Sequence, residues 1–173
     1  MREIEWKLLS ELMKNSRRSD RELARAIGTS QPTITRTRHK LEKEGYIKEY
    51  TMMPNFEKMG FELMAFTFTK FKREFTEEEL EKIRHSARKI ERQMPHTAIL
   101  VMTGVGLGFD RVVVSFHENY ASFLKFIKMT KRLPFLELLQ VDNFLVSLID
   151  EDHYMPCTFS GIANYLLKRK NMK

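Results

Sequence analysis

Thr33, Arg36, Lys40 and Lys43 place one hydroxyl and three cations at intervals of three, four and three residues. At about 100° per residue, that spacing gathers them on one side of an α-helix. Ile34 and Leu41 fall within about 20° of each other and mark the inward side. The polar set then centres on a direction about 220° away from Ile34. A guanidinium can grip a guanine edge or a phosphate with two donors, and an ammonium supplies a point charge. The chemistry expected of such a face is recognition of duplex DNA in a groove. Ser30, Gln31, Thr33 and Thr35 near the helix start have donors that reach base edges or phosphates. Arg17, Arg18 and Arg21, just upstream, and Lys48, just downstream, are placed to meet the sugar-phosphate backbone. Arg38 lies about 40° from the core direction, where it can run along the rim or reach a phosphate.

Basic residues on an isolated helix would indicate only a solvated face, so the flanking elements carry the decision. "EIEWKLLSELMK" sets Ile4, Leu8, Leu9 and Leu12 at helical spacing. In "SRRSDRELARAIG", Ser19 and Glu22 form a capping box, Leu23, Ala24 and Ile27 supply the apolar stripe, and Gly28 ends the helix. Pro32 suits the first turn of the third helix, which Gly45 closes before "YIKEYT", expected as a short strand. Two helices joined by a glycine turn, the second basic and followed by a strand, give the order of a winged helix-turn-helix.

Beyond residue 60 the periodicity changes. "ELMAFTFTKF" alternates Met64, Phe66 and Phe68 with Ala65, Thr67 and Thr69, as a strand does. A helix follows, capped by Thr76 and Glu79, with Leu80, Ile83, Ala87, Ile90 and Met94 as its stripe. Two strands flank the glycine-rich turn in "TGVGLGFD". Asn119 caps another helix, whose inward residues are Tyr120, Phe123, Leu124 and Ile127, and a last strand lies in "LLQVDNFLVSLI". The order is βαββαβ, a ferredoxin-like sandwich. Helices on one side leave an apolar sheet face that a second copy of the chain would cover. "FSGIANYLLKRKNMK" is expected as a final helix with Phe159, Ile162, Ala163 and Leu166 on one side, docked on the body or on a second subunit. The fold class is therefore α+β. Residues 1–53 form the DNA-binding domain, 54–62 the linker, 63–152 the ferredoxin-like domain and 153–173 a basic C-terminal helix.

Composition narrows the chemistry. The chain of 173 residues carries a net charge of +7, with the excess in residues 1–60 and 153–173 and a balanced middle. That distribution favours a polyanionic partner for the N-terminal part. No apolar run is long enough to span a bilayer and no signal peptide is evident, so the expectation is a cytoplasmic protein with no membrane partner. A single cysteine, Cys157, cannot form an internal disulfide and reads as an inert, at least partly buried thiol. The five histidines, at 39, 85, 96, 117 and 153, do not pair at metal-ligand spacing. His39 reads as a flank residue of the third helix. Glu77, Glu78 and Glu79 suit a helix start, and Asp150, Glu151 and Asp152 a solvated strand end. The glycines of "GVGLGFD" precede a strand, whereas a dinucleotide site needs a helix there, so a hairpin is expected. No cofactor, no metal and no catalytic residues are expected.

"RELARAIGTSQPTITRTRHKLEKEGYIKEYTMMPNFEKMG" resembles the N-terminal half of Lrp/AsnC-type transcription regulators, and the βαββαβ half with "TG…FD" is similar to their effector-binding domain. The resemblance implies a homodimer or higher oligomer paired through the C-terminal sheets. Each dimer would present two recognition helices to a near-palindromic site, with half-sites whole turns of about 10–10.5 base pairs apart. It also implies a small-molecule effector, such as an amino acid, near Thr103, Gly104 and Asp110. Thr37 and Arg38 depart from the family's usual arginine then valine, the turn "GVGLGFD" is longer than usual, and the tail beyond residue 152 lacks an assured counterpart. Two alternatives share the architecture. One is an enzyme similar to siroheme decarboxylases, which a visible absorption band would reveal. The other is a nucleoid-type binder with little sequence preference.

Overall fold

The computed structural model describes residues 1–91, 98–132, 137–150 and 158–170. His96, Cys157, His153, Glu151 and Asp152 lie outside the described residues, as does Met94. The chain divides into two compact units, one with the N-terminal helices and the C-terminal helix, the other with a four-stranded sheet and its helices.

The first unit begins with α1 (Glu3–Lys14), α2 (Asp20–Ile27) and α3 (Gln31–Lys43). Ser19 opens α2 through the capping box: its Oγ accepts from the Glu22 amide at 3.3 Å, and Glu22 Oε2 accepts from the Ser19 amide at 2.7 Å. Gly28 closes α2 at φ 78°, a left-handed conformation that costs a side-chain-bearing residue about 1 kcal/mol or more. The chain can then turn within Thr29 and Ser30 into α3. Leu8, Leu12, Leu23, Ala24, Ile34 and Leu41 form the core where the three helices meet, with Leu9, Ile27 and Ile47 packed against it.

The strand expected in "YIKEYT" is absent, since residues 47–54 form no regular structure. A strand needs a partner to complete its ladder, and this unit offers no other extended segment among the described residues. Side chains hold the segment instead. Ser16 Oγ donates to the Thr51 carbonyl at 3.2 Å, and the Tyr50 hydroxyl donates to Glu42 Oε1 at 2.6 Å.

The C-terminal helix α6 (Ser160–Lys170) packs on α1. Ser10, fully buried in α1, donates its hydroxyl to the Ala163 carbonyl at 2.9 Å, and Ala163 is itself fully buried. The contact runs through small residues, which let the helices approach closely. The bulky Phe159 and Ile162 of the expected stripe remain exposed.

The second unit contains β1 (Leu63–Phe71), α4 (Glu77–Glu91), β2 (Ala98–Gly106), β3 (Phe109–His117), α5 (Tyr120–Lys131) and β4 (Leu138–Ser147). The sheet order is β2-β3-β1-β4, and its pairings are antiparallel. This is the ferredoxin-like arrangement the element order implies. Register fixes the two faces. Ala65 stands opposite Ser115, Thr67 opposite Val113 and Thr69 opposite Arg111 on the face that α5 covers with Phe123 and Ile127. The other face carries Met64, Phe66, Phe68, Val112 and Val114 together with Leu100, Met102 and Phe144, the last three exposed. The turn between β2 and β3 is tighter than the glycine run suggests. Strand β2 continues to Gly106 and β3 starts at Phe109, so only Leu107 and Gly108, at φ 52° and 77°, lie between. Two positive φ values in a two-residue loop match the twist of a hairpin. No helix among the described residues is long and apolar enough to cross a membrane.

Candidate nucleic-acid interface

Helix α3 turns Ile34, Thr37 and Leu41 into the core, at 0, 2 and 0% exposure. Thr37 is the unexpected member. Its hydroxyl donates to the Thr33 carbonyl at 2.7 Å, so it is buried with its polar atom satisfied. Including Thr37 rotates the inward direction, and the midline of the exposed side then runs through Pro32, Arg36, His39 and Lys43. Gln31, Pro32, Thr35, Arg36 and His39 line one shallow hollow on this side. His39, which the sequence places on the flank of the third helix, therefore stands on the midline instead. It is 73% exposed, and its Nδ1 lies 3.2 Å from Glu42 Oε2. The buried threonine was the signal that would have found it.

The cations expected to meet DNA fall into two groups. Arg17, Arg21, Arg36 and Lys48 are exposed, with no side-chain ion pair among the described residues. Arg18, Arg38 and Lys40 are engaged within the fold. Arg18 pairs with Glu11, and Arg38 pairs with Asp20. Lys40 Nζ lies 2.8 Å from Glu5 Oε1 and 3.7 Å from Glu44 Oε1. Glu5 is 1% exposed and also accepts from the Arg2 amide at 2.6 Å. The hydrogen bond from Lys40, reinforced by those from Arg2, holds the Glu5 carboxyl down at about 2 against the opposing effect of burial. The same bond raises the Lys40 ammonium. Arg36 thus remains the free guanidinium at the centre of the exposed side of α3.

The polar residues at the helix start are also sorted. Ser30 precedes α3, and its Oγ lies 2.8 Å from Thr33 Oγ1. Gln31 and Thr33 are exposed. Thr35 donates its hydroxyl to Asp20 Oδ2 at 2.6 Å, which ties it to α2. In the second unit, Thr103 and Gly104 lie within β2 and are exposed. Asp110 Oδ2 accepts from the Phe71 amide at 2.8 Å, finishing the end of β1. Among the described residues no three His, Cys, Asp or Glu side chains converge as metal ligands would.

A trihelical unit with a glycine-turned second helix and an exposed, cationic third helix, joined to a ferredoxin-like sheet, defines a helix-turn-helix DNA-binding protein with an appended α+β domain. Residues 1–48 match the family model described as winged helix-turn-helix DNA-binding. The chain is 31% identical over 126 residues to an HTH-type transcriptional regulator of Pyrococcus furiosus, covering 73% of this chain and 78% of that one. It is 41% identical over 58 residues to the HTH-type transcriptional regulator LrpC of Bacillus subtilis, covering 34% and 40%. An AsnC family transcriptional regulator from Agrobacterium tumefaciens superposes with a TM-score of 0.73 at 16% identity, covering 94% of this chain and 99% of that one. A transcriptional regulator of Neisseria meningitidis, solved in complex with L-Met, gives 0.72 at 19% identity over 94% and 99%. The chain belongs to the Lrp/AsnC family of DNA-binding transcription regulators.

Proposed function

We propose that this regulator reads duplex DNA sequence-specifically through α3, as a cytoplasmic homodimer that acts by binding and not by catalysis. The observation that carries the reading is Arg36. It is exposed at the centre of α3, flanked by Gln31, Thr35 and His39, while Arg38 and Lys40 are committed to carboxylates. A free guanidinium on a rigid helix suits two-pronged recognition of guanine. Arg17, Arg21 and Lys48 add affinity through counterion release. The exposed apolar sheet face around Phe144 supports pairing of two copies. Two copies would present two α3 helices to half-sites separated by whole helical turns. The L-Met in the Neisseria relative supports an amino-acid-like effector, for which Thr103, Gly104 and Asp110 remain the candidate contacts.

Selection of bound sites from a random duplex library, with and without amino acids, tests this reading. A near-palindromic consensus is expected, and Arg36→Ala should weaken binding to it by about 1–3 kcal/mol while relaxing one position. Equal binding to all duplexes, or an Arg36→Ala variant indistinguishable from the parent, would overturn it.

A further inference from the structure

We infer that Arg38, with Asp20 and Tyr50, is a positioning group that fixes how α3 is presented to DNA and does not itself touch the duplex. The inference rests on the DNA-binding reading above. Asp20 is the first residue of α2, and its two carboxylate oxygens engage different residues of α3. Oδ1 pairs with the Arg38 guanidinium, and Oδ2 accepts the Thr35 hydroxyl at 2.6 Å. Thr35 and Arg38 lie one helical turn apart. One carboxylate therefore grips two levels of α3, resisting both sliding along its axis and rotation about it.

Arg38 also meets a residue of the segment that follows α3. Its guanidinium carbon lies 5.8 Å from the centre of the Tyr50 ring. The Tyr50 hydroxyl returns to α3 one turn further on, donating to Glu42 Oε1 at 2.6 Å. Burial, with this bond to Glu42, pushes the phenol up to about 12, so it stays a donor at neutral pH. Arg38 Nη2 also reaches the Arg18 carbonyl at 3.5 Å, at the approach to α2. The pair with Asp20 is only about one-fifth exposed, at 19% and 20%. Arg38 Nε is buried with no hydrogen-bond partner among the described residues. Reaching a phosphate would exchange one charge-assisted contact for another of similar strength. It would also uncover Asp20, a negative charge close to the DNA. The exchange gains nothing, so the side chain serves DNA binding best by staying where it is.

The test measures affinity of the full chain for its selected site across a salt series, for the parent, Arg36→Ala, Arg38→Ala, Arg38→Lys, Asp20→Asn and Asp20→Asn/Arg38→Ala. Circular dichroism verifies folding, and Arg38→Lys guards against a collapsed alanine variant. A positioning role predicts that Arg38→Lys, which keeps the charge but loses the fork and ring contact, weakens binding tenfold or more. The slope of log affinity against log salt should match the parent's. Asp20→Asn should weaken binding comparably, and the double variant should be no worse than Arg38→Ala. Near-parental binding by Arg38→Lys, with a slope smaller by about one in Arg38→Ala, would overturn this inference alone by making Arg38 a phosphate contact. A parent chain that binds no duplex would overturn the functional reading and this inference together.

Discussion

Replacing Glu5 by Gln should destabilise the helical unit in a way that fades in acid. Glu5 is 1% exposed and accepts from the Arg2 amide at 2.6 Å, Arg2 Nε at 2.9 Å and Lys40 Nζ at 2.8 Å. These bonds, the one from Lys40 foremost, lower its carboxyl from the usual 4.5 to about 2. The folded-state value is depressed, so the ionised form contributes its stability above 4.5 and loses it as pH falls toward about 2. At about 1.4 kcal/mol for each tenfold change in acidity, the ceiling is about 3 kcal/mol. The carboxylate lies near the surface of the unit, and Lys40 is 42% exposed and open to screening. At moderate salt the expected loss is therefore about 1–2 kcal/mol. Trp6, the one tryptophan in the chain, sits beside Glu5 in α1, so fluorescence-monitored urea unfolding reports on this unit. The difference between parent and Glu5→Gln should be largest at pH 7 and shrink steadily below about pH 4.5. A difference that stays constant down to pH 2.5 would show that the charge of Glu5 contributes nothing and that the loss is one of packing.

Three further outcomes follow from the same structure. His39→Ala should leave stability unchanged, since the ring is 73% exposed, but flatten the preference at one position of the selected DNA site by about 1–3 kcal/mol, read by competition between duplexes. Phe144→Glu should weaken self-association at least 100-fold, as expected when an unpaired charge costing about 3–5 kcal/mol is buried in an interface. Sedimentation velocity would read that change, and a parent chain that is monomeric at high micromolar concentration would remove the sheet face as a dimer surface. Burial holds the His117 imidazole below its usual 6.5, so the unfolded chain takes up the proton first and stability declines as pH drops below 6.5. His117→Gln should remove part of that decline between pH 7.5 and 5, followed by circular dichroism, and an unchanged decline would assign it to other groups.

The helical unit was legible because each signal is local. A capping box spans three residues, a left-handed glycine ends its own helix, and an apolar stripe repeats within two turns. The sheet order was legible from the sequence of elements alone, because βαββαβ with short connections admits few topologies. The missing strand after α3 shows the limit of local reading. "YIKEYT" has the composition of a strand, but a ladder needs a second chain segment alongside it. The glycine-rich turn shows the same limit from the other side. Gly104 and Gly106 look like loop residues, yet Thr103 pairs with Arg111 and Gly106 with Phe109, so β2 runs through them.

The candidate interface was legible as a basic helix but not as a sorted one. Periodicity assigns a face to every residue, yet it carries no information about a partner fifteen to thirty-five positions away. Asp20 claims Thr35 and Arg38, and Glu5 claims Lys40, across such separations. These pairings divide cations that look equivalent in the sequence into two sets. Arg38 and Lys40, on opposite flanks of α3, are bound to carboxylates of α2 and α1, and between them Arg36 stands free. A helix with only unpaired cations would bind any duplex and wander along it. Anchoring the flanking cations to the neighbouring helices lowers the non-specific attraction and stiffens α3 at the same time. On the proposed reading, both effects would raise the share of the binding energy that depends on what Arg36 and its neighbours meet in the groove.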